Sequence, residues 1–152
     1  IFFFLQLNFL YALEVTCNFE EVYGNGEVQN GIFLLKDKKL RYEYFNKDLF
    51  TIIAKNNNFF LVHQNNKNNV HKIDHNTEVL ELLINISKEY PNIQDIYNTN
   101  DIKIKIEKSS IKFIRRISIN SEKTNVSINI MNCIYDSINE KYFKHYDFEI
   151  YR

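Results

Sequence analysis

Residues 31–73 read GIFLLKDKKLRYEYFNKDLFTIIAKNNNFFLVHQNNKNNVHKI, and this stretch decides the fold. Apolar and aromatic runs at Ile32 to Lys36, Leu40 to Phe45, Phe50 to Lys55, Phe59 to His63 and Val70 to Ile73 have strand length. Between them lie polar breakers: Asp37-Lys38-Lys39, Asn56-Asn57-Asn58 and the QNNKNN of Gln64 to Asn69. Short β-rich runs separated by turn residues predict an antiparallel meander. Just upstream, Leu13, Val15, Cys17 and Phe19 alternate with Glu14, Thr16, Asn18 and Glu20, a strand with one apolar face. Tyr23-Gly24-Asn25-Gly26 supplies the Asn-Gly pair of a tight hairpin between that strand and the meander.

Downstream the period changes. Val79, Leu82, Leu83, Ile86 and Tyr90 fall on one helical face, with Asn76 placed to cap the start and Pro91 to stop the end. Ile93, Ile96 and Tyr97 could add another helical turn. Period two then returns at Ile102, Ile104 and Ile106. Ile111 and Phe113, then Ile117 and Ile119, form a strand whose phase slips at Ile114 to Arg116, as a bulge would make it. Val126, Ile128, Ile130 and Ile134 form another, interrupted by Asn132, and Tyr142, Phe143, Tyr146, Phe148 and Ile150 make an aromatic tail. The expected class is mostly β with an inserted α element: a curved antiparallel sheet or half-open barrel of about nine to eleven strands. Such a sheet must cover its apolar face, and the helix near residues 77–90 is the expected lid.

Composition bounds the function. The 152 residues suit one domain. Lys plus Arg and Asp plus Glu each number 19, so the basic excess of a nucleic-acid-binding module is missing. An apolar share of 45% sets the chain apart from disordered sequences. Two cysteines exclude a disulfide-dense scaffold and a four-thiolate zinc site. Thirteen Phe and ten Tyr beside only two alanines, Ala12 and Ala54, favour strands. Residues 1–12, IFFFLQLNFLYA, are apolar almost throughout and too short to span a bilayer as a helix. Their length suits the core of a secretory signal, so we expect a signal-peptide remnant at 1–12, a single domain at 13–152 and export. The alternative is a buried first strand or helix.

The stretch Asn30 to Ile73 resembles the LolA-like family of periplasmic outer-membrane lipoprotein carriers. Gly31, Phe33, Leu35 and Lys36, followed by Arg41, Tyr42 and Tyr44, match the family's Gly-x-Phe-x-Leu-Lys, turn, Arg-aromatic-x-Tyr pattern. Ile52-Ile53, the turn Lys55 to Asn58 and Phe59-Phe60-Leu61-Val62 stand where the family has its next strand pair. Phe19 and the Gly24-Asn25-Gly26 hairpin suit the first strand pair; Val79 to Tyr90 is similar to the lid helix, and Ile128 to Phe143 resembles the closing strands. Two features depart from the pattern. Asp37-Lys38 stands where the family has Arg-Pro, whose arginine holds the lid, and the family's amino-terminal helix is missing before Leu13. Arg41 matches a second family arginine and is the substitute candidate for gating.

The resemblance implies a non-enzymatic periplasmic carrier that binds the acyl chains of lipoproteins or other lipids and passes them toward the outer membrane. Its partners would be an acylated lipoprotein or lipid, an inner-membrane donor and an outer-membrane acceptor; it would act as a monomer, without cofactor, metal or nucleic acid. The acyl-cavity wall would be Phe33, Leu35, Tyr42, Tyr44, Phe50, Ile52, Phe59 and Leu61, and the lid face Val79, Leu82, Leu83 and Ile86. Each of these residues is also what a closed core needs, because apolar pockets and cores share composition. The same fold with a filled core would serve as an interaction or sensing module. A small outer-membrane barrel is a further alternative, against which the helix and the charged ending Tyr151-Arg152 count.

Other constellations are weaker. His71 and His75 lie four apart but have no third ligand in view, and His63 and His145 are expected at the surface. No serine sits in a glycine-flanked elbow, and no glycine-rich phosphate loop occurs. Cys17 and Cys133 are candidates to pair in an exported protein. Strand parity argues against it: Cys17 shares the apolar face of its strand, whereas Cys133 alternates out of the face holding Ile128, Ile130 and Ile134.

Overall fold

A computed structural model of the chain describes residues 13–56, 58–73, 84–85, 88–99, 101–110 and 113–144. Among these residues ten strands form one curved, unclosed antiparallel sheet. In chain order they are β1 (Glu14–Tyr23), β2 (Val28–Lys36), β3 (Lys39–Tyr44), β4 (Phe50–Lys55), β5 (Asn58–His63), β6 (Val70–Ile73), β7 (Ile96–Asn98), β8 (Ile102–Lys108), β9 (Ile114–Ser121) and β10 (Asn125–Ile134). The spatial order is β6-β5-β4-β3-β2-β1-β10-β9-β8-β7. Two meanders therefore meet at a central seam where the first strand pairs with the last, from Thr16↔Ile134 to Tyr23↔Val126.

One face of the sheet carries the main core. Val15, Cys17 and Phe19 of β1 lie beside Phe33 and Leu35 of β2, Leu40 and Tyr42 of β3, Ala54 of β4 and Phe59 of β5. Across the seam Ile128 and Ile130 of β10, Ile117 and Ile119 of β9 and Ile104 and Ile106 of β8 continue the same cluster. Gly31 has a packing reason. A Cβ there would lie 2.2 Å from the Glu43 carbonyl oxygen and 2.3 Å from Phe19 Cζ, so only glycine lets the Phe19 ring cover its cross-strand partner.

The other face is covered too, which alternation had not indicated. Ile32 and Leu34 of β2 pack against Ile138 and Phe143, and a 3₁₀ turn at Glu140–Phe143 lies over β3 and β4. Asn139 caps that turn by accepting from the Lys141 amide. Polar latches hold the crossing: Glu14 accepts from the Ile138 amide at 2.7 Å, Lys36 donates to the Ile138 carbonyl at 2.8 Å, and Lys39 meets Glu140 at 2.6 Å. Burial of every residue from Gly31 to Leu35 is the signature of a strand covered on both faces.

Several expectations change. Ile96 and Tyr97 belong not to a helical turn but to β7, which pairs with β8 through Tyr97↔Ile104. The expected bulge is present: pairing of β8 with β9 shifts between Glu107 and Lys108, opposite Ile114 to Arg116. The helix read near 77–90 falls largely outside the described residues, as do its face residues Val79, Leu82, Leu83 and Ile86 and the leader at 1–12. Residues 84–85 and 88–89 are helical, and Ile84 is half-buried against the main core. No lid helix is therefore seen among the described residues.

Candidate functional site

The register brings all eight expected wall residues onto one face. Phe33, Tyr42, Ile52 and Leu61 form one cross-strand row, Leu35, Leu40, Ala54 and Phe59 the next. Tyr44 lies opposite Gly31, and Phe50 opposite His63. Burial is graded along this face. Phe33, Leu35, Tyr42 and Phe59 are 3–4% exposed and belong to the core, whereas Tyr44, Phe50, Ile52 and Leu61 are half-buried. The row of Leu35, Leu40, Ala54 and Phe59 is closed, and the face opens along the strands toward Tyr44 and Phe50. His63, expected at the surface, is half-buried here instead, its ring 4.3 Å from that of Phe50 and 5.7 Å from that of His71. His75 and His145 lie outside the described residues.

Glu21 is the polar centre that the sequence reading missed. It is 6% exposed and lies on the apolar face of β1, beyond Phe19. Three phenols donate to its carboxyl group: Tyr42 at 2.5 Å, Tyr23 at 2.6 Å, and Tyr44 at 3.1 Å to each oxygen. Phe19 stacks on Tyr42 with ring centroids 4.0 Å apart, and Tyr44 meets both rings edge-on at 5.5 Å. A buried acid is tolerable here because its lone pairs are met. Burial first, and then the adjacent carboxylate, holds the Tyr42 hydroxyl well above the usual phenol range; the same two causes lead for Tyr44. Tyr23 is raised by burial and by its hydrogen bond to Glu21. Parity could have found this site: counting on from Phe19 places Glu21 and Tyr23 on the apolar face.

Arg41 lies on the other face of β3. In the register it sits between Leu34 and Ile53, on the face opposite Tyr42. It is 6% exposed there, donating from Nε and Nη2 to Glu43 Oε2 at 2.8 and 2.6 Å, and from Nη1 to the Tyr142 carbonyl at 3.1 Å. The alternation of side chains along β3 explains the outcome, since a residue next to Tyr42 cannot share its face. Arg41 thus braces the carboxy-terminal turn.

Cys17 and Cys133 form a disulfide, so the parity objection to their pairing is corrected. Between Thr16 and Asn18 the β1–β10 register slips by one residue, and Asn132 takes a left-handed backbone conformation with φ of 53°. That bulge turns Cys133 back onto the face of Ile130. Asparagine tolerates this conformation better than most residues. The interruption at Asn132 was visible in the sequence, but its effect on parity was not.

Among the described residues no helix is long and apolar enough to cross a membrane, and no group of three or more His, Cys, Asp or Glu is placed to hold a metal ion. No protein-family model matches the chain, and no curated protein is significantly similar to it. The site therefore has to be read from its own chemistry. An unclosed sheet presents an apolar, aromatic face, fully packed at one end and half-open at the other, with a satisfied carboxyl–phenol cluster that includes the half-buried Tyr44.

Proposed function

We propose that this protein is a non-enzymatic, LolA-like carrier that holds acyl chains of lipoproteins or other lipids against the β3–β5 face. It would do so under a lid contributed by the segment around Leu82, Leu83 and Ile86, in the periplasm, receiving cargo from an inner-membrane donor and yielding it to an outer-membrane acceptor. The observation that carries the reading is the graded face: Tyr44, Phe50, Ile52 and Leu61 share one apolar surface and are only half-buried. The Cys17–Cys133 bond is consistent with an oxidising compartment.

The energetics suit exchange. Burying a methylene stabilises by about 0.8 kcal/mol, so a 16-carbon chain wholly buried would gain roughly 12 kcal/mol. A face that is half-open captures part of that, which leaves release within reach of a partner. A second reading, an interaction module with a filled core, draws on the near-complete burial of Phe33, Leu35, Tyr42 and Phe59.

Native mass spectrometry of the chain purified from the periplasm of an expressing host separates the two. A retained lipid or acylated-peptide mass, lost in Leu61→Arg while the circular dichroism spectrum is kept, is the expected outcome. A bare chain mass, together with no binding of a fluorescent fatty acid, would overturn the carrier reading in favour of the filled-core module.

A further inference from the structure

A second site lies at the other side of the seam. Pairing of β10 with β9 runs only from Asn125↔Asn120 to Asn129↔Arg116. Beyond that point β10 stays with β1, through Phe19↔Ile130, Asn18↔Met131 and Thr16↔Ile134, while β9 stays with β8 through Lys108↔Ile114. Both departures coincide with bulges, one at Asn132 and one at Glu107–Lys108. The strands part there, and a cleft of about 300 Å³ opens between them. This is the small end of the range for ligand pockets.

The chemistry of the cleft is divided. Ile114, Ile130, Met131, Tyr135 and the disulfide sulfur of Cys133 supply an apolar lining. Met131 and Tyr135 are 40% and 42% exposed, so a ligand in the cleft can reach both. The polar lining includes Ser109 and Arg115. The Ser109 hydroxyl is buried and meets no hydrogen-bond partner among the described residues. Arg115 is well exposed and gives Nη2 to Glu107 at 3.0 Å. A guanidinium carries five N–H donors, so one carboxylate does not exhaust it, and its planar fork suits a second.

We infer that this cleft binds a small anionic amphiphile, a medium-chain monocarboxylate, with the chain on Ile114, Ile130, Met131 and Tyr135 and the carboxylate at Arg115 and Ser109. Glu107 competes for the guanidinium, which keeps the site weak for a bare anion and makes the apolar chain necessary for binding. The site is separate from the β3–β5 face and stands or falls independently of the carrier reading.

Met131 is the one methionine in the chain, which provides a probe in the cleft wall. The full chain labelled at the methionine methyl carbon would be titrated with sodium octanoate and observed by NMR. The expected result is a saturable shift of the single resonance. Arg115→Ala should weaken octanoate roughly tenfold, the low end for a hydrogen bond to a charged group, and leave octanol unaffected. Leu61→Arg, on β5 several strands away from β10, should leave the titration unchanged. Absence of a saturable shift, or equal octanoate affinity in Arg115→Ala, would overturn the assignment. Loss of the shift in Leu61→Arg would also overturn it, since Met131 would then be reporting a ligand bound elsewhere.

Discussion

Replacing Glu21 with alanine tests the carboxyl–phenol cluster most directly. The substitution removes the acceptor of three phenols at once. Tyr42 is 3% exposed and its hydroxyl sits 2.5 Å from Glu21 Oε1, so it has no route to water. Orphaning such a group costs about 2 kcal/mol. Tyr23 and Tyr44 are half-buried and can turn toward solvent; their combined loss is about 1 kcal/mol. The expected destabilisation is therefore about 3 kcal/mol, a large fraction of the usual stability of a single domain. Urea unfolding followed by circular dichroism would read this as a midpoint lower by about 1.5 M if the slope is near 2 kcal/mol/M.

Tyr42→Phe completes the cycle. Alone it removes one donor from an acid that keeps two others, at a cost of about 1 kcal/mol. In its background Glu21→Ala no longer orphans a fully buried hydroxyl and should cost only about 1 kcal/mol, a coupling of about 2 kcal/mol. Additive single effects, or a Glu21→Ala protein as stable as the parent, would refute the argument. The first result would mean that Glu21 and Tyr42 contribute independently, the second that desolvating the carboxyl group costs as much as its hydrogen bonds return.

Three other perturbations follow from the same packing. Gly31→Ala would drive a methyl group into the Glu43 carbonyl and Phe19; a loss of at least about 3 kcal/mol in a denaturant melt is expected, because a backbone oxygen cannot swing aside. Opening the Cys17–Cys133 bond, by Cys17→Ser with Cys133→Ser or by reductant, releases a loop spanning 116 residues, worth about 5 kcal/mol on the chain-entropy account, so unchanged melting under reduction would contradict it. Stability should fall as pH rises above about 10, the ordinary phenol value. The sign follows from Tyr42, whose folded pKa is raised and which therefore binds its proton more tightly than the unfolded chain does. Its contribution to the slope reaches about 1.4 kcal/mol per pH unit, and Tyr42→Phe should flatten the alkaline limb.

Much of this molecule is local in origin. Runs of β-branched and aromatic residues, cut by Asn- and Gly-rich turns, suffice to specify the meander from Glu14 to Ile73 and to set Phe33, Tyr42, Ile52 and Leu61 on one face, because strand alternation has a strict period of two. The same rule placed Glu21 among those residues, had it been carried past Glu20. What alternation cannot supply is the count of residues across a bulge. One extra residue at Asn132 reversed the parity of Cys133 and made a disulfide possible, and a second slip at Glu107–Lys108 let β9 leave β10. Nor does a local pattern say which distant segment covers a face. Arg41 and Glu43 lie on the face of β3 opposite Tyr42, where Ile138 to Phe143, about 100 residues later in the chain, folds over them and makes a second core. Short-range periodicity determined the strands and their faces; the pairing of β1 with β10 and the carboxy-terminal crossing, both contacts between the ends of the chain, decided which faces met water.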